Sequence, residues 1–297
     1  MDKSLYLETN VSQQPAIELL QSMGYTYISP EDCEAQRGSR YHVLLKDVLR
    51  GQLRRLNRYA YAGAENEFSA ANIERAMEEL EASPADGLVR ASEKIYDALL
   101  LGRSYPETVG DGTILSFDLK YIDWEHPENN LFHVTREFAV DSQDKLHNAR
   151  PDIVLFINGI PFAVIECKAP YIGVEQAVEQ SIRNQQKAYI PQLYQFAQIV
   201  MATNKNAVQY ATTGTPKEFW QVWKEQDQAF LEEALGKYVS GRMPTEQDRS
   251  MVSLFSKERV MELMRYFIVF DANVKKICRY QQYFAIREIG ATIRQSD

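Results

Sequence analysis

Apolar residues recur along this chain in two rhythms, and the change from one to the other divides it. Ile17, Leu20 and Met23 fall at helical spacing, with Gly24 placed to end the helix. Pro15 limits where that helix begins, because proline is tolerated in a first turn and not in an interior. Glu8 therefore belongs to a preceding turn or to a separate helical piece. Tyr25 to Ser29 reads as a short strand. Leu45, Leu49, Leu53 and Leu56 mark the buried side of a helix over 41–60. Apolar positions at three and four predict two more helices over 70–81 and 89–101, separated by Ser83-Pro84-Ala85-Asp86-Gly87 and closed by Gly102.

From Ile114 the period becomes two. Leu115, Phe117, Leu119 and Tyr121 alternate with Ser116, Asp118 and Lys120, and His133 to Val140 forms a second extended run. Ile153 to Ile157 and Phe162 to Ile165 follow as two apolar strands joined through Asn158-Gly159, a strong hairpin signal. Four sequential strands at short spacing predict a largely antiparallel mixed sheet. A helix then runs from Val174 to about Tyr189, with Val174, Ala177, Val178 and Ile182 as its apolar stripe. Gln185 falls in that stripe, so it is either a satisfied core glutamine or one that lines a site. Strands at 199–203, 208–212 and 219–223 are expected next, then a polar helical stretch over 225–245 and a block over 254–294 rich in helix formers. The fold class is α/β (α+β), a mixed sheet flanked by helices.

Composition narrows the function. With 297 residues the chain holds one domain of roughly 200 residues and part of a second. No apolar run approaches the roughly 18 residues of a membrane span and Met-Asp-Lys-Ser opens no signal peptide, so a cytoplasmic protein is expected. Cys33, Cys167 and Cys278 form no CxxC pair, and His42, His126, His133 and His147 have no ligand spacing. A net charge of −8 argues against a general nucleic-acid coat, so any DNA affinity must be local. The local candidate is the basic segment from Arg37 to Arg58. On the helix expected there, Arg50, Arg54 and Arg58 would form a row, either a solvated face or a ridge that contacts phosphates.

The chemistry concentrates between Arg150 and Lys168. Alternation puts Glu166 and Lys168 on one face of the return strand, and Asp152 enters the hairpin at the same end. Charges there are either solvated strand ends or a divalent-cation site with a lysine over a phosphate. An ideal two-residue turn would pair Asp152 with Ile165 and send the two carboxylates to opposite faces. A shared site therefore requires a bulge or kink between Asp152 and Glu166.

The order Pro151-Asp152, hairpin, Glu166-Cys167-Lys168 resembles the PD-(D/E)xK nuclease signature. Together with Glu8 followed by Val-Ser-Gln-Gln-Pro, Gly24-Tyr25, Asn158-Gly159-Ile160-Pro161 and Gln185-x-x-x-Tyr189, which is similar to the QxxxY motif of RecB-like nucleases, it resembles the N-terminal part of the restriction subunit of type I restriction-modification enzymes. The resemblance implies Mg²⁺ held by Asp152, Glu166 and the carbonyl of Cys167, with Glu8 as an extra carboxylate. Lys168 would act on the attacking water or the transition state, and Gln185 and Tyr189 would position the metal water or the DNA backbone. It implies an endonuclease domain over 1–223, a helical linker over 224–253 and the start of an ATP-driven motor over 254–297. Gln282, in Arg279-Tyr280-Gln281-Gln282-Tyr283, is the candidate adenine contact. Implied partners are double-stranded DNA and the modification (methyltransferase) and specificity subunits, with no membrane; ATP serves only the full-length subunit. The alternative is a non-catalytic DNA-binding or subunit-assembly module with a structural carboxylate cluster.

No GxxxxGK[ST] occurs in this sequence, so nothing in it cradles a triphosphate in the P-loop manner. A lone adenine contact is worth about 0.5–1.5 kcal/mol, against roughly 8 kcal/mol for micromolar binding. Calorimetric titration of ATP into this chain is therefore expected to show no micromolar binding.

Overall fold

The computed structural model describes residues 9–81 and 87–296. A π-helical turn over Thr9–Gln13 leads into α1 (Gln14–Ser22), with Pro15 in the first turn, as its missing N–H requires. Strand β1 (Thr26–Tyr27) is followed by a helix that the apolar pattern did not reveal, α2 (Pro30–Arg37). Its signals are local: Ser29 Oγ accepts from the Asp32 amide, Pro30 opens the first turn, and Gly38 closes the helix in the left-handed region. Helix α3 (Lys46–Leu56) is shorter than the expected 41–60, and Arg58 lies instead in the hairpin β2 (Arg58–Tyr61) with β3 (Ala64–Glu67). Helices α4 (Ala70–Glu81) and α5 (Leu88–Leu101) fall where their periodicity put them.

The Ile114 run, β5 (Ile114–Leu119), pairs with β4 (Arg103–Thr108) in a separate two-stranded ribbon and not with the central sheet. The central sheet is built from β6 (Phe132–Arg136), β9 (Ile153–Ile157), β10 (Ile160–Cys167), β11 (Ile199–Thr203) and β12 (Val208–Ala211), with β1 on its edge. A short pair, β7 (Val140–Asp141) and β8 (Asn148–Ala149), lies between β6 and β9 in the chain. The sheet order β1-β6-β9-β10-β11-β12 is mixed: β1/β6 and β10/β11 run parallel and the other neighbours antiparallel. Parallel neighbours need a crossover, and α6 (Val174–Asn184) with α7 (Pro191–Tyr194) supplies the one between β10 and β11. Every residue of β9, β10 and β11 is buried, which explains why these strands read as continuous apolar runs.

Past β12, the strand expected over 219–223 is a 3₁₀ turn (Lys217–Phe219) and a single bridge from Gln221 to Tyr210. Helix α8 (Gln228–Tyr238) lies in the polar stretch and α9 (Glu246–Phe255) follows it; in the block expected over 254–294, α10 (Lys257–Tyr266) is followed by a hairpin of β13 (Ile268–Asp271) and β14 (Val274–Ile277) before α11 (Tyr280–Ser296). These helices do not hang off the sheet as a free tether. Gln247 of α9 accepts from Ser12 Oγ (2.8 Å) and Thr203 Oγ1 (3.1 Å) and donates to the Ser12 carbonyl (2.9 Å), all buried. One hydrophobic cluster runs from Ala16 through the sheet to Tyr283.

The turn between β9 and β10 anchors this core. Asn158 (φ 52°) and Gly159 (φ 84°) adopt the left-handed pair that a tight hairpin needs. Asn158 is fully buried, and its amide donates to Tyr121 O and Asn130 Oδ1 while its oxygen accepts from Gln52 Nε2 and Leu131 N. A Cβ on Gly159 would stand 2.6 Å from Leu45 O and 3.0 Å from Leu49 N, both backbone atoms at the start of α3. Gly159→Ala is therefore expected to destabilise the protein by roughly 1–3 kcal/mol, read as a lower urea midpoint at unchanged slope.

Candidate functional site

The hairpin register brings the two carboxylates together. Ile160 pairs with Ile157 and Pro161 with Phe156, but Ala163 then pairs with Leu155, so Phe162 is an extra residue on β10. Beyond this bulge Ile165 faces Ile153, and the continued register sets Glu166 opposite Asp152 on one face of the sheet. The irregularity that a shared site requires is present. Asp152 is locked in place by the Cys167 amide, which donates to its Oδ2 at 2.7 Å. Lys168 lies one step beyond; its Nζ donates to the Cys167 carbonyl at 2.8 Å.

Glu166 is completely buried, and both of its oxygens are held from α6: Gln180 Nε2 donates to Oε2 (2.7 Å) and Asn184 Nδ2 to Oε1 (3.1 Å). The Asp152 and Glu166 carboxyls lie within hydrogen-bonding reach of each other. Burial raises the Glu166 carboxyl well above the usual glutamate range, the Asp152 charge raises it further, and Lys168 and Asn184 offset part of this. Burial also raises Asp152, against the Cys167 amide and Lys168, which favour its charged form.

Gln180 and Asn184 are the residues that periodicity missed. The buried stripe of α6 runs through Val174, Ala177, Val178, Ser181 and Asn184, one residue out of phase with the stripe expected at its C-terminal end. The helix stops at Asn184 and Gln185 becomes its C-cap, so Gln185 does not reach Glu166. Its Oε1 accepts from the Gly214 amide at 2.8 Å. Three polar residues at 180, 181 and 184, all near one side of a helix that follows Glu166 directly, were the available signal. Tyr189 sits on the loop after α6, its ring 5.3 Å from that of His147 and under the Arg183 guanidinium at 5.4 Å.

The expected row of arginines does not form. Arg50 pairs with Asp47 (2.8 Å) and with Glu74, Arg58 is on β2 and pairs with Glu67 (2.7 Å), and Arg54 remains exposed on α3. Glu8 lies outside the described residues. Gln282, in the first turn of α11, accepts from the Arg279 amide at 2.8 Å and lines a mainly apolar cavity of about 730 Å³ with Tyr266, Lys275 and Ile286.

The donor set suits a hard divalent cation. Asp152, Glu166 and the Cys167 carbonyl offer only oxygen, and two adjacent buried carboxylates need a proton or a cation between them. Among the described residues no group of three or more His, Cys, Asp or Glu side chains is placed to hold a metal. A cation here would take two carboxylates and fill its other positions with carbonyl, water and substrate oxygens, the pattern that magnesium favours.

A mixed sheet with two facing carboxylates and a lysine at one strand end is an arrangement suited to phosphodiester chemistry. The chain belongs to the family described as type I restriction enzyme R protein N terminus (HSDR_N), which it matches over residues 5–219. It is 28% identical over 306 residues to the MjaIXP endonuclease subunit of Methanocaldococcus jannaschii, covering 97% of this chain and 28% of that protein. To the type I restriction enzyme HindI endonuclease subunit of Haemophilus influenzae it is 24% identical over 314 residues, covering 97% of this chain and 27% of the relative. The chain thus spans little more than a quarter of the length of these relatives. Among the described residues, no helix is long and apolar enough to cross a membrane.

A buried carboxyl with a raised pKa has a linked stability signature. The native state keeps the Glu166 proton over a window, from the usual glutamate range upward, in which the unfolded chain releases it. Its stabilising contribution is complete on the acid side and is lost as pH rises through that window. In chelating buffer, Glu166→Gln is expected to flatten this decline and to unfold at a higher temperature than the wild type at pH 8. Thermal midpoints measured across pH check it, and a variant as pH-sensitive as the wild type would contradict the assignment.

Proposed function

We propose that this chain is the DNA-cleaving part of the endonuclease subunit of a type I restriction-modification system, hydrolysing phosphodiester bonds of foreign double-stranded DNA with Mg²⁺. The observation that carries the reading is the bulge at Phe162, which turns Asp152 and Glu166 to one face with Lys168 beside them. Asp152, Glu166 and the Cys167 carbonyl would hold the ion. When bound, it supplies Lewis-acid stabilisation of the phosphate and makes water more acidic.

The chain's own groups do the rest. The Cys167 amide fixes Asp152, and Gln180 and Asn184 fix Glu166, so the carboxylates are ordered before any ligand arrives. Lys168 carries an ammonium at the strand end, where it orients the attacking water or stabilises charge on the pentavalent phosphate. Tyr189 contacts the DNA backbone, while Gln185 braces the end of α6 through Gly214. In the full-length subunit cleavage is coupled to ATP-driven translocation, Gln282 contacts adenine, and modification and specificity subunits select the DNA. The nuclease domain spans 1–223, and 224–253 links it to the motor that begins at 254.

The competing reading is a DNA-binding or assembly module whose carboxylates are structural. Loss of Mg²⁺ binding in Glu166→Ala separates the two, because a structural cluster binds no ion in the wild type either. In the assembled enzyme, Asp152→Ala and Glu166→Ala are expected to abolish Mg²⁺-dependent cleavage. Lys168→Ala is expected to cost about 2.7–4 kcal/mol of transition-state stabilisation, or about 10²–10³ in rate. Wild-type cleavage rates in all three variants would refute the site.

A further inference from the structure

Arg183 occupies the last turn of α6, next to Asn184, and its side chain is exposed. Its Nη2 lies 3.4 Å from Asn184 Oδ1, and the same amide donates through Nδ2 to Glu166 at 3.1 Å. The guanidinium is thus one side-chain amide away from the buried carboxylate pair. It rests over the Tyr189 ring at 5.4 Å, and Tyr189 is backed by His147 at 5.3 Å between ring centres. His147 comes from the turn that joins β7 to β8, so a second segment packs on the ring beneath this cation.

Among the described residues no carboxylate lies within ion-pair distance of Arg183, whereas Arg150, just before Asp152 in the chain, is taken by Glu137 at 2.5 Å, and Arg50 and Arg58 by their own acids. In a chain of net charge −8, an exposed arginine held beside a buried acidic pair, without an acid of its own, is set up for an anion from outside. A planar guanidinium presents a fork of donors that matches a phosphodiester, and stacking on an aromatic ring restricts its motion without using those donors. We propose that Arg183 is a DNA-binding residue that takes a backbone phosphate flanking the scissile bond, with Tyr189 as the platform beneath it. This rests on the nuclease reading above and adds to it the surface along which the strand reaches the carboxylates.

The test is equilibrium binding of a short fluorescein-labelled DNA duplex by anisotropy in chelating buffer, where cleavage does not run, over a series of salt concentrations. Each phosphate contact contributes about 0.9 to the slope of log affinity against log salt. Arg183→Ala is expected to lower the slope by about that amount, and Arg183→Lys to keep it. Tyr189→Leu is expected to weaken binding without changing the slope. An unchanged slope in Arg183→Ala, with the slope lost in Arg54→Ala instead, would overturn the proposal and move the contact to α3. A wild type that shows no salt-dependent binding would overturn the nuclease reading and this contact with it. Normal wild-type binding that Arg183→Ala leaves untouched would sink this contact alone.

Discussion

One inserted residue governs the geometry of this protein. Without Phe162 as a bulge, the tight turn at Asn158-Gly159 would pair Asp152 with Ile165, and two acids would point to opposite faces of a fully buried strand pair. With it, they share a face, and everything near them is arranged around the repulsion that follows. The Cys167 amide, Lys168, Gln180 and Asn184 all direct donors or positive charge to this pair or to the carbonyl between Glu166 and Lys168. Both ends of the bulged hairpin are held. Here the closed end is pinned by the four side-chain hydrogen bonds of Asn158 and the contact of Gly159 with α3, and the open end by Cys167 on Asp152.

The cost of that arrangement is visible in the electrostatics. Two buried carboxyls with raised pKa values are not an efficient way to stabilise a core; replacing such groups by neutral ones is often favourable. Sites of this kind are commonly functional, because the same burial that penalises the charges makes a cation or proton between them bind strongly. The polar layer of α6 is compatible with such a site. Its Gln180 and Asn184 add neutral donors, which hold Glu166 without cancelling the negative charge that a cation would need.

Beyond the sheet, the C-terminal third behaves differently from its composition. Residues 224–253 read as a polar linker, being rich in Gln and Glu, yet Gln247 and Met251, with Leu254 and Phe255 just beyond, are buried on α9, which packs on α1 and β12. Arg259 and Glu225 form an ion pair at 2.9 Å that is almost fully enclosed, with Trp223, Phe230 and Tyr283 around the guanidinium. Gln247 and Arg259 reach the interior here because each finds a partner far away in sequence, which no local pattern records.

Local signals were sufficient wherever one segment decides its own conformation. The α4 and α5 periodicity, the Asn158-Gly159 turn, the apolar strands β9 to β12 and the Asp152, Glu166 and Lys168 constellation could all be read along the chain, because spacing, turn chemistry and strand alternation are short-range properties. Even the need for a bulge followed from counting residues between two carboxylates. Tertiary structure alone decided the rest. It kept the Ile114 strand out of the central sheet, in a ribbon with β4 just before it in the chain, because the sheet's neighbours come from other segments. It stopped α6 at Asn184, with Gln180 and Asn184 on Glu166 and Gln185 bonded to Gly214 instead. It also broke the arginine row by folding Arg58 into a hairpin and giving Arg50 to Glu74. A side chain's partner across space depends on the path of the whole chain, and that path is not contained in any single stretch of it.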